Sequence, residues 1–447
     1  MRSFPVRPAL TILSFVALVA MAGWVRKDFR GLSPALVASV IDFRPARVVA
    51  EPAPEPARPG KFIPAPDLED NSGALDHFYE ALWRTERKEP GAITRILHYG
   101  DSPTTADLIT GDVRALLQAR FGDSGHGFTL IAKPWAWYEH WGVRLSASGW
   151  DIHPATHHDL RDGMYGLGGV AFLNRGAARS RIVLRDKGHT RVEVSFLRQP
   201  DGGEIIVSSG ELPVGRIDTS ADAKRPGFAV FELHPPTGEL EIQATGPVRA
   251  FGIALEKETP GVVYDSLGMN GAFTTVPARI FNEKQWAEQL QRRKPDLVIL
   301  NYGTNESGFA AYVGSWYEQE LRLAIGRLRA ALPGCSLLVM SPIDRAERVA
   351  GGEIRTLASI PRLVAIQERV ARETGCGFYN AFAAAGGEGT MARWYEARPR
   401  LVSADFIHTT PAGARQVGEL LFQRLCQGLN EYKFRRSTQR PALARRK

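Results

Sequence analysis

Four short polar segments of this 447-residue sequence could together carry out nucleophilic chemistry. The first, Gly100-Asp101-Ser102, follows a mainly apolar stretch and precedes Pro103, a residue type favoured in the first turn of a helix. Ser102 is therefore predicted at a strand-to-helix corner, where free N–H groups surround the hydroxyl. Such corners display nucleophilic serines, but an isolated serine there is more often an N-cap. The other three segments bear on which role applies.

Two of these segments could supply hydrogen-bond donors. The loop 265–272 contains Gly268 and Gly271, which free the backbone to present N–H groups. The segment 302–306 follows a buried strand and includes Asn305, whose amide could donate to a developing negative charge. Taken singly, a glycine-rich loop is a turn and an asparagine after a strand is a cap.

The fourth segment contains Asp405 and His408. The spacing of three lets the carboxylate accept from the imidazole Nδ1–H, which leaves Nε2 to take a proton from a serine. A single pair at this spacing is common by chance. All four segments occur together, however, each at a strand end or in a loop nearby, and this favours a Ser-His-Asp site centred on Ser102.

The elements that must position these segments alternate between strand and helix. Apolar periodicity predicts helices over 75–87, 108–121, 277–293, 313–332, 360–374 and 411–429, with strands over 95–99, 297–303, 336–342 and 377–380. The strands are continuous apolar runs, as in a parallel sheet covered on both faces. The fold class is therefore α/β, a three-layer doubly wound parallel sheet, with the polar segments beyond the strand C-termini.

This alternation is interrupted between about Gly127 and Glu256. Short alternating or β-branched runs are separated there by turns every eight to twelve residues, which predicts an inserted β-sandwich or jelly roll. Residues 200–203 and 236–238 are predicted to be hairpin turns. The tryptophans and tyrosine at 135, 137, 138 and 141 either stack on sugar rings or pack in the core of the insert.

The two ends of the chain differ from its body. Arg2 and Arg7 precede an apolar run, which predicts export through a cleaved signal peptide or an uncleaved membrane anchor. The net charge is +8, but seven basic side chains lie in the last fifteen residues, and no nucleic-acid-binding module accompanies them. The predicted organisation is a signal or anchor at 1–30, a Pro/Ala-rich linker at 31–67, the α/β domain at 68–128 and 258–432, the insert at 129–257, and a basic disordered tail at 433–447.

We predict no metal site and no cofactor. His153, His157 and His158 have no accompanying ligand pattern and are interpreted as loop histidines. Cys335 and Cys376 each precede a predicted strand, so a disulfide between them is one alternative and free buried thiols are the other. With Cys426 the number of cysteines is odd.

The order of the four segments resembles the SGNH or GDSL hydrolase family. The resemblance covers 95–128 and 262–425, and the first motif reads Ser-Pro and the third Asn-Glu where the family often differs. It implies that Ser102 is the nucleophile, that His408 is the base oriented by Asp405, and that Ser102, Gly271 and Asn305 form the oxyanion hole.

The position of the insert is similar to that in bacterial peptidoglycan O-acetylesterases, where a carbohydrate-binding-like module interrupts the hydrolase domain. The resemblance implies a periplasmic serine esterase, soluble or anchored, acting on O-acetyl esters of a cell-wall or extracellular polysaccharide, with peptidoglycan as first choice. A polysaccharide O-acetyltransferase and a non-catalytic cell-wall-binding protein are the alternatives.

Overall fold

The computed structural model describes residues 68–70 and 73–444, with side chains described as far as 438. The predicted signal or anchor and the linker therefore lie outside the described residues. Among the described residues, no helix is both long and apolar enough to cross a membrane. Residues 68–444 belong to one compact unit.

A five-stranded parallel sheet forms the centre of the α/β part, in the order β13-β1-β14-β15-β18. Its strands are β1 (Ile93–Gly100), β13 (Gly261–Gly268), β14 (Leu297–Asn301), β15 (Ser336–Met340) and β18 (Gly377–Tyr379). In β1, Ile96 and Leu97 are both fully buried but belong to different hydrophobic clusters, because successive side chains point to opposite faces. Both faces of the sheet are therefore covered.

Six longer helices cover these two faces. One layer packs with Ile96 and consists of α1 (Asp76–Glu86), α3 (Leu108–Phe121) and α10 (Pro411–Ala444). The other packs with Leu97 and consists of α4 (Glu283–Arg293), α6 (Tyr317–Ala331) and α7 (Ser359–Glu373). Shorter helices are α2 (Ser102–Thr105), α5 (Ala310–Ser315), α8 (Ala381–Ala385) and α9 (Thr390–Glu396). The predicted three-layer architecture is confirmed.

Two antiparallel sheets separate β1 from β13 in the chain. One has the order β10-β7-β12-β5-β4, with β2 also pairing with β12, and the other has the order β3-β6-β11-β8-β9. The strands are β2 (Gly127–Thr129), β3 (Val143–Ser148), β4 (Asp151–Pro154), β5 (Val170–Asn174), β6 (Ala177–Leu184), β7 (His189–Arg198), β8 (Glu204–Ser209), β9 (Leu212–Asp218), β10 (Arg225–Thr237), β11 (Glu239–Thr245) and β12 (Val248–Glu256). Their inner side chains share one core, which confirms the predicted β-rich insert.

Both predicted turns are present, but neither connects two strands of the same sheet as a hairpin turn would. The chain does turn at 200–203 and at 236–238, but β7 and β8 lie in different sheets, and so do β10 and β11. These turns therefore carry the chain from one sheet of the sandwich to the other. A small hairpin of β16 (Ala346–Arg348) and β17 (Ile354–Thr356) was not predicted.

Three predicted helices have different limits in the structure. The helix predicted over 277–293 is interrupted, because Asn282 caps α4 by accepting from the Gln285 N–H at 3.1 Å. The helix predicted over 313–332 is divided into α5 and α6. The last helix extends through the basic segment to Ala444, where a disordered tail was expected from residue 433. Lys433 and Arg435 pair there with acidic side chains of α1.

Candidate active site

Ser102 lies where the central strand β1 turns into helix α2. The carbonyl of Asp101 accepts from the N–H groups of Thr104 and Thr105 at 3.1 and 3.2 Å, so Asp101, not Ser102, stands at the N-cap position. Ser102 is the first residue of α2, and its side chain is not needed for capping. The hydroxyl is free to bond elsewhere.

The Ser102 hydroxyl is hydrogen-bonded to His408, with 2.8 Å between Oγ and Nε2. Nδ1 of the same imidazole lies 2.7 Å from Oδ2 of Asp405. An ionised carboxylate only accepts, so Nδ1 carries the ring proton and Nε2 presents a lone pair to the serine. The structure thus brings the three predicted catalytic residues into one hydrogen-bonded chain.

A tight turn holds the two C-terminal members of this chain. Oδ1 of Asp405 accepts from the N–H groups of Ile407 and His408, each at 3.0 Å. Phe406, which follows Asp405, has a φ of +57°. Although partial burial acts to raise it, the pKa of Asp405 is lowered by hydrogen bonds from the His408 ring and from these N–H groups. The carboxylate is therefore ionised and remains available to orient the imidazole.

The predicted oxyanion-hole residues follow the ends of adjacent strands. Gly100 of β1 is in register with Gly268 of β13 and with Asn301 of β14, so the serine corner, the glycine loop and the 302–306 segment leave the sheet side by side. A Cβ at Gly268 would stand 2.5 Å from backbone atoms of Thr104 and Thr105. Glycine at 268 thus permits close approach of the loop to the serine corner.

The N–H groups of the predicted oxyanion-hole residues are available to donate hydrogen bonds. Asn305 donates one Nδ2–H to the carbonyl of Ala272 at 2.8 Å, which leaves its second N–H. Gly271 has a φ of +70°, a conformation that favours glycine, and among the described residues its N–H and that of Ser102 have no acceptor. Three unfulfilled N–H groups therefore lie on the three segments that meet at this edge of the sheet.

A cavity of about 400 Å³ opens beside the serine. It is lined by Ser102, Pro103, Ala106, Leu108, Trp137, Asn270, His408 and Thr409. Half of these side chains are apolar, and the polar atoms of Ser102 and His408 are the reactive pair. The cavity suits a small acyl group next to the hydroxyl.

The structure divides the predicted aromatic cluster of the insert into two pairs. Tyr138 is buried, Trp135 packs against the hydrophobic core, and Trp137 and Trp141 are 56% and 58% exposed. Nε1 of Trp137 donates to Oδ1 of Asn270 at 3.2 Å, which fixes the indole beside the glycine loop. Core packing therefore accounts for one pair, and the other pair is exposed, with Trp137 lining the cavity beside the serine.

Two buried carboxyl groups connect the three segments behind the cavity. Oδ2 of Asp101 accepts from the Thr304 N–H at 3.1 Å, and Oε1 of Glu306 accepts from the N–H and the hydroxyl of Thr274 at 2.7 and 2.8 Å. Burial raises the pKa of both groups, that of Asp101 to about 8 with a further contribution from the charge of Glu306. Sequence reasoning recorded Glu306 only as a departure from the family motif.

Asp107 attaches the insert to the α/β part and was not singled out in the sequence. Its Oδ2 accepts from Nη2 of Arg114 at 2.6 Å and from the backbone N–H of Trp141 at 2.8 Å. The side chains of Asp107 and Arg114 are buried, whereas the indole of Trp141 is exposed. Burial acts to raise the pKa of Asp107, but the Arg114 charge and its hydrogen bond hold it at about 2. The segment that carries the exposed tryptophans is thus fixed to helix α3.

Known proteins support the fold and the family. Residues 238–416 match the model of the GDSL-like Lipase/Acylhydrolase family. A solved structure of a peptidoglycan O-acetylesterase matches with a TM-score of 0.66 at 23% identity, covering 79% of this chain and 96% of that chain. The segment that matches the family model includes Gly271, Asn305, Asp405 and His408 but not Ser102. The two α/β segments make up only about half of the sequence, so the structural match extends over the inserted sheets as well.

Two further solved structures match with lower TM-scores. A Bacillus subtilis protein, YXIM, is 12% identical over 64% of this chain and 90% of that chain, with a TM-score of 0.33. A family two carbohydrate esterase from Cellvibrio japonicus is 11% identical over 69% of this chain and 99% of that chain, with a TM-score of 0.26. No curated protein matches the sequence. The family match begins at residue 238, within the insert and after the serine motif.

The remaining predicted features lie away from the cavity. Cys335, Cys376 and Cys426 are free and buried, so the disulfide alternative does not hold. Within residues 68–70 and 73–444, no three His, Cys, Asp or Glu side chains are grouped as a metal site would require. His153 instead pairs with Asp151 at 2.9 Å.

Proposed function

We propose that this GDSL-like hydrolase is an exported serine esterase that removes O-acetyl groups from a cell-wall or extracellular polysaccharide, with peptidoglycan as the first choice. The hydrogen-bonded chain from Ser102 through His408 to Asp405, beside a small apolar cavity, carries the proposal. The similarity to a peptidoglycan O-acetylesterase supports the choice of polymer. Export is proposed from the apolar N-terminal segment of the sequence alone.

The reaction begins with attack of Ser102 Oγ on the ester carbonyl. Nε2 of His408 takes the hydroxyl proton, and the imidazolium that forms is stabilised by the Asp405 carboxylate. The negative charge on the carbonyl oxygen is accommodated by the N–H groups of Ser102 and Gly271 and by the Asn305 amide. The C–O bond to the sugar then breaks, and His408 returns its proton to the departing sugar oxygen.

The second half of the reaction regenerates the serine. His408 takes a proton from water, the resulting hydroxide attacks the acetyl-enzyme carbonyl, and acetate leaves as Ser102 regains its proton. The side chains of both Asp405 and His408 are 44% exposed, so water reaches the base readily. This access favours hydrolysis over acetyl transfer to a sugar hydroxyl, because transfer requires that water be excluded.

The test uses purified protein with O-acetylated peptidoglycan, acetylated xylan and a small chromogenic acetyl ester, and it measures released acetate. Ser102→Ala and His408→Ala should reduce turnover at least a thousandfold while the circular dichroism spectrum stays native. Substantial turnover by either folded variant would refute the mechanism. Acetyl transfer to a glycan acceptor without acetate release would refute the esterase assignment.

A further inference from the structure

The segment 137–141 of the insert has no role in the reaction described above, yet it exposes two large aromatic side chains. Trp137 and Trp141 are each more than half exposed, whereas most large aromatic side chains of the described chain are buried. Exposed tryptophans that are held in place are a feature of binding surfaces, because they offer a large rigid apolar face at low entropic cost.

Trp137 belongs to the wall of the catalytic cavity. Its indole contributes to the lining together with Ser102 and His408, and its N–H is fixed by Asn270. A sugar whose ester carbonyl reaches Ser102 lies at the cavity that this indole lines. The apolar C–H face of a pyranose ring can pack on such an aromatic face while its hydroxyl groups remain in water.

Trp141 lines a second cavity of about 290 Å³, formed between helix α3 and the insert. The guanidinium of Arg185 lies 5.9 Å from the centre of the Trp141 ring, and the carboxylates of Asp123 and Asp186 also line this cavity. A guanidinium only donates hydrogen bonds and a carboxylate only accepts them, so both kinds of partner for a hydroxyl group stand beside an aromatic face.

The charges around this second cavity balance. Asp123 and Asp186 both pair with Lys257, which leaves one negative charge, and Arg185 has no ion pair with a described carboxylate, which leaves one positive charge. The remaining lining cation, Arg114, is neutralised by Asp107. A cavity with donors, acceptors and no net charge suits a neutral polyhydroxyl compound better than an ion.

The two cavities are close and rigidly connected. The two tryptophans are four positions apart in the chain, so their Cα atoms are at most about 14 Å apart. Between them, His140 is buried and its ring contacts His126, at 2.7 Å between Nδ1 and Nε2. The Trp141 N–H is held by Asp107. The backbone that connects the two tryptophans is therefore held in place in the folded protein.

We propose that segment 137–141 binds one glycan chain at two subsites, with the acetylated sugar against Trp137 and a neighbouring sugar of the same chain in the second cavity against Trp141. This inference rests on the proposed esterase function and adds to it a second subsite, which binds a sugar unit next to the acetylated one. The occupant of the second cavity is an uncharged sugar unit.

The experiment compares kcat/KM for acetylated glycans of increasing length with kcat/KM for a small acetyl ester. Two series are used, acetylated xylo-oligosaccharides and O-acetylated peptidoglycan strands. For the wild-type protein the ratio should rise with chain length until both subsites are filled. Trp141→Ala should lower this ratio at least fivefold for the longest glycans. Trp141→Phe should restore most of the ratio because the aromatic face remains.

Trp316→Ala is the matched control, since Trp316 is 57% exposed on the α/β part and lines neither cavity. It should leave the ratio unchanged. The second subsite would be overturned if the wild-type ratio does not rise with chain length in either series. It would also be overturned if Trp141→Ala does not lower the ratio. Absence of small-ester hydrolysis by the wild type would instead refute the proposed function, so the two failures are distinguishable.

Discussion

Glu306 provides a sharp test of whether the oxyanion-hole segments are held in place by buried hydrogen bonds. Its side chain is fully buried, and Oε1 is the acceptor for both the N–H and the hydroxyl of Thr274, three residues beyond Gly271. Glu306→Ala removes this acceptor and leaves two buried donors without a partner. At about 1–3 kcal/mol for each of the two donors, the free energy of unfolding should fall by about 2–6 kcal/mol.

The same substitution should slow the reaction without touching the substrate. Once the Thr274 contact is lost, the glycine loop can shift, and a displacement of about 1 Å at a catalytic donor costs about 10²-fold in rate. Glu306→Gln retains an oxygen at the Oε1 position and replaces Oε2, which has no hydrogen-bond partner among the described residues. Because burial raises the pKa of Glu306 and favours its neutral form, the amide is a close substitute.

Urea unfolding and kcat for a small acetyl ester would be measured on Glu306→Ala, Glu306→Gln and the exposed control Glu353→Ala. The control side chain is 61% exposed and pairs only with Arg355 among the described residues. We expect a large loss of kcat in the alanine variant, recovery to within about threefold in the glutamine variant, and no change in the control. An alanine variant with wild-type kcat and stability would refute the reasoning.

Three further predictions concern neighbouring groups. Asp107→Asn should lower the free energy of unfolding by about 3–5 kcal/mol in urea titrations, since it leaves the Arg114 charge buried and unpaired, and an equally stable variant would contradict this. Gly271→Ala should reduce kcat about tenfold or more, because alanine is strained at a φ of +70° and shifts the N–H, and an unchanged kcat would exclude that donor. Burial raises the pKa of Asp101 to about 8 in the folded protein, above its value in the unfolded chain. The folded state therefore holds this proton more tightly, and the free energy of unfolding should decrease as the pH rises from 4 towards 8, by up to about 1.4 kcal/mol per pH unit. Asp101→Asn should flatten that slope in denaturant titrations, and an unaltered slope would count against a protonated Asp101.

The sequence was sufficient for the fold class and for the family. Continuous apolar strands alternating with amphipathic helices predicted the parallel sheet, and strand-end positions predicted that Ser102, Asp405 and His408 would meet. These are local signals, and the geometry of a parallel sheet brings the segments together. The catalytic roles of these residues stay predictions until the variants are tested, as do the domain limits and the fate of the N-terminal segment.

Features that depend on distant partners were not predictable from the sequence. Asp107 resembles any acidic residue before a helix, and only the folded chain shows it beneath Trp141 and beside Arg114. The turns at 200–203 and 236–238 were recognised from their residue types, but turn chemistry does not determine which sheet the next strand joins. Lys433 and Arg435 of the basic C-terminal segment pair with acidic side chains of α1, and composition alone does not reveal these partners.

The insert has a consequence for the order in which the chain folds. β1 must pair with β13, yet Ile93 and its partner Gly261 are about 170 positions apart. At the base of the insert, β2 pairs with β12, with Gly127 opposite Leu255. If that pairing forms first, pairing of β1 with β13 closes a loop of only about 40 residues. The entropic cost of closing the loop is then lower by about 1.2 kcal/mol.

We therefore expect the insert to fold before the central sheet and to act as a template for it. Pulsed hydrogen exchange during refolding should show amides of β7 and β12 protected before those of β1 and β13, and simultaneous protection would contradict this order. Since Ser102 and Gly271 follow β1 and β13, the candidate active site would be assembled late, after the insert has formed.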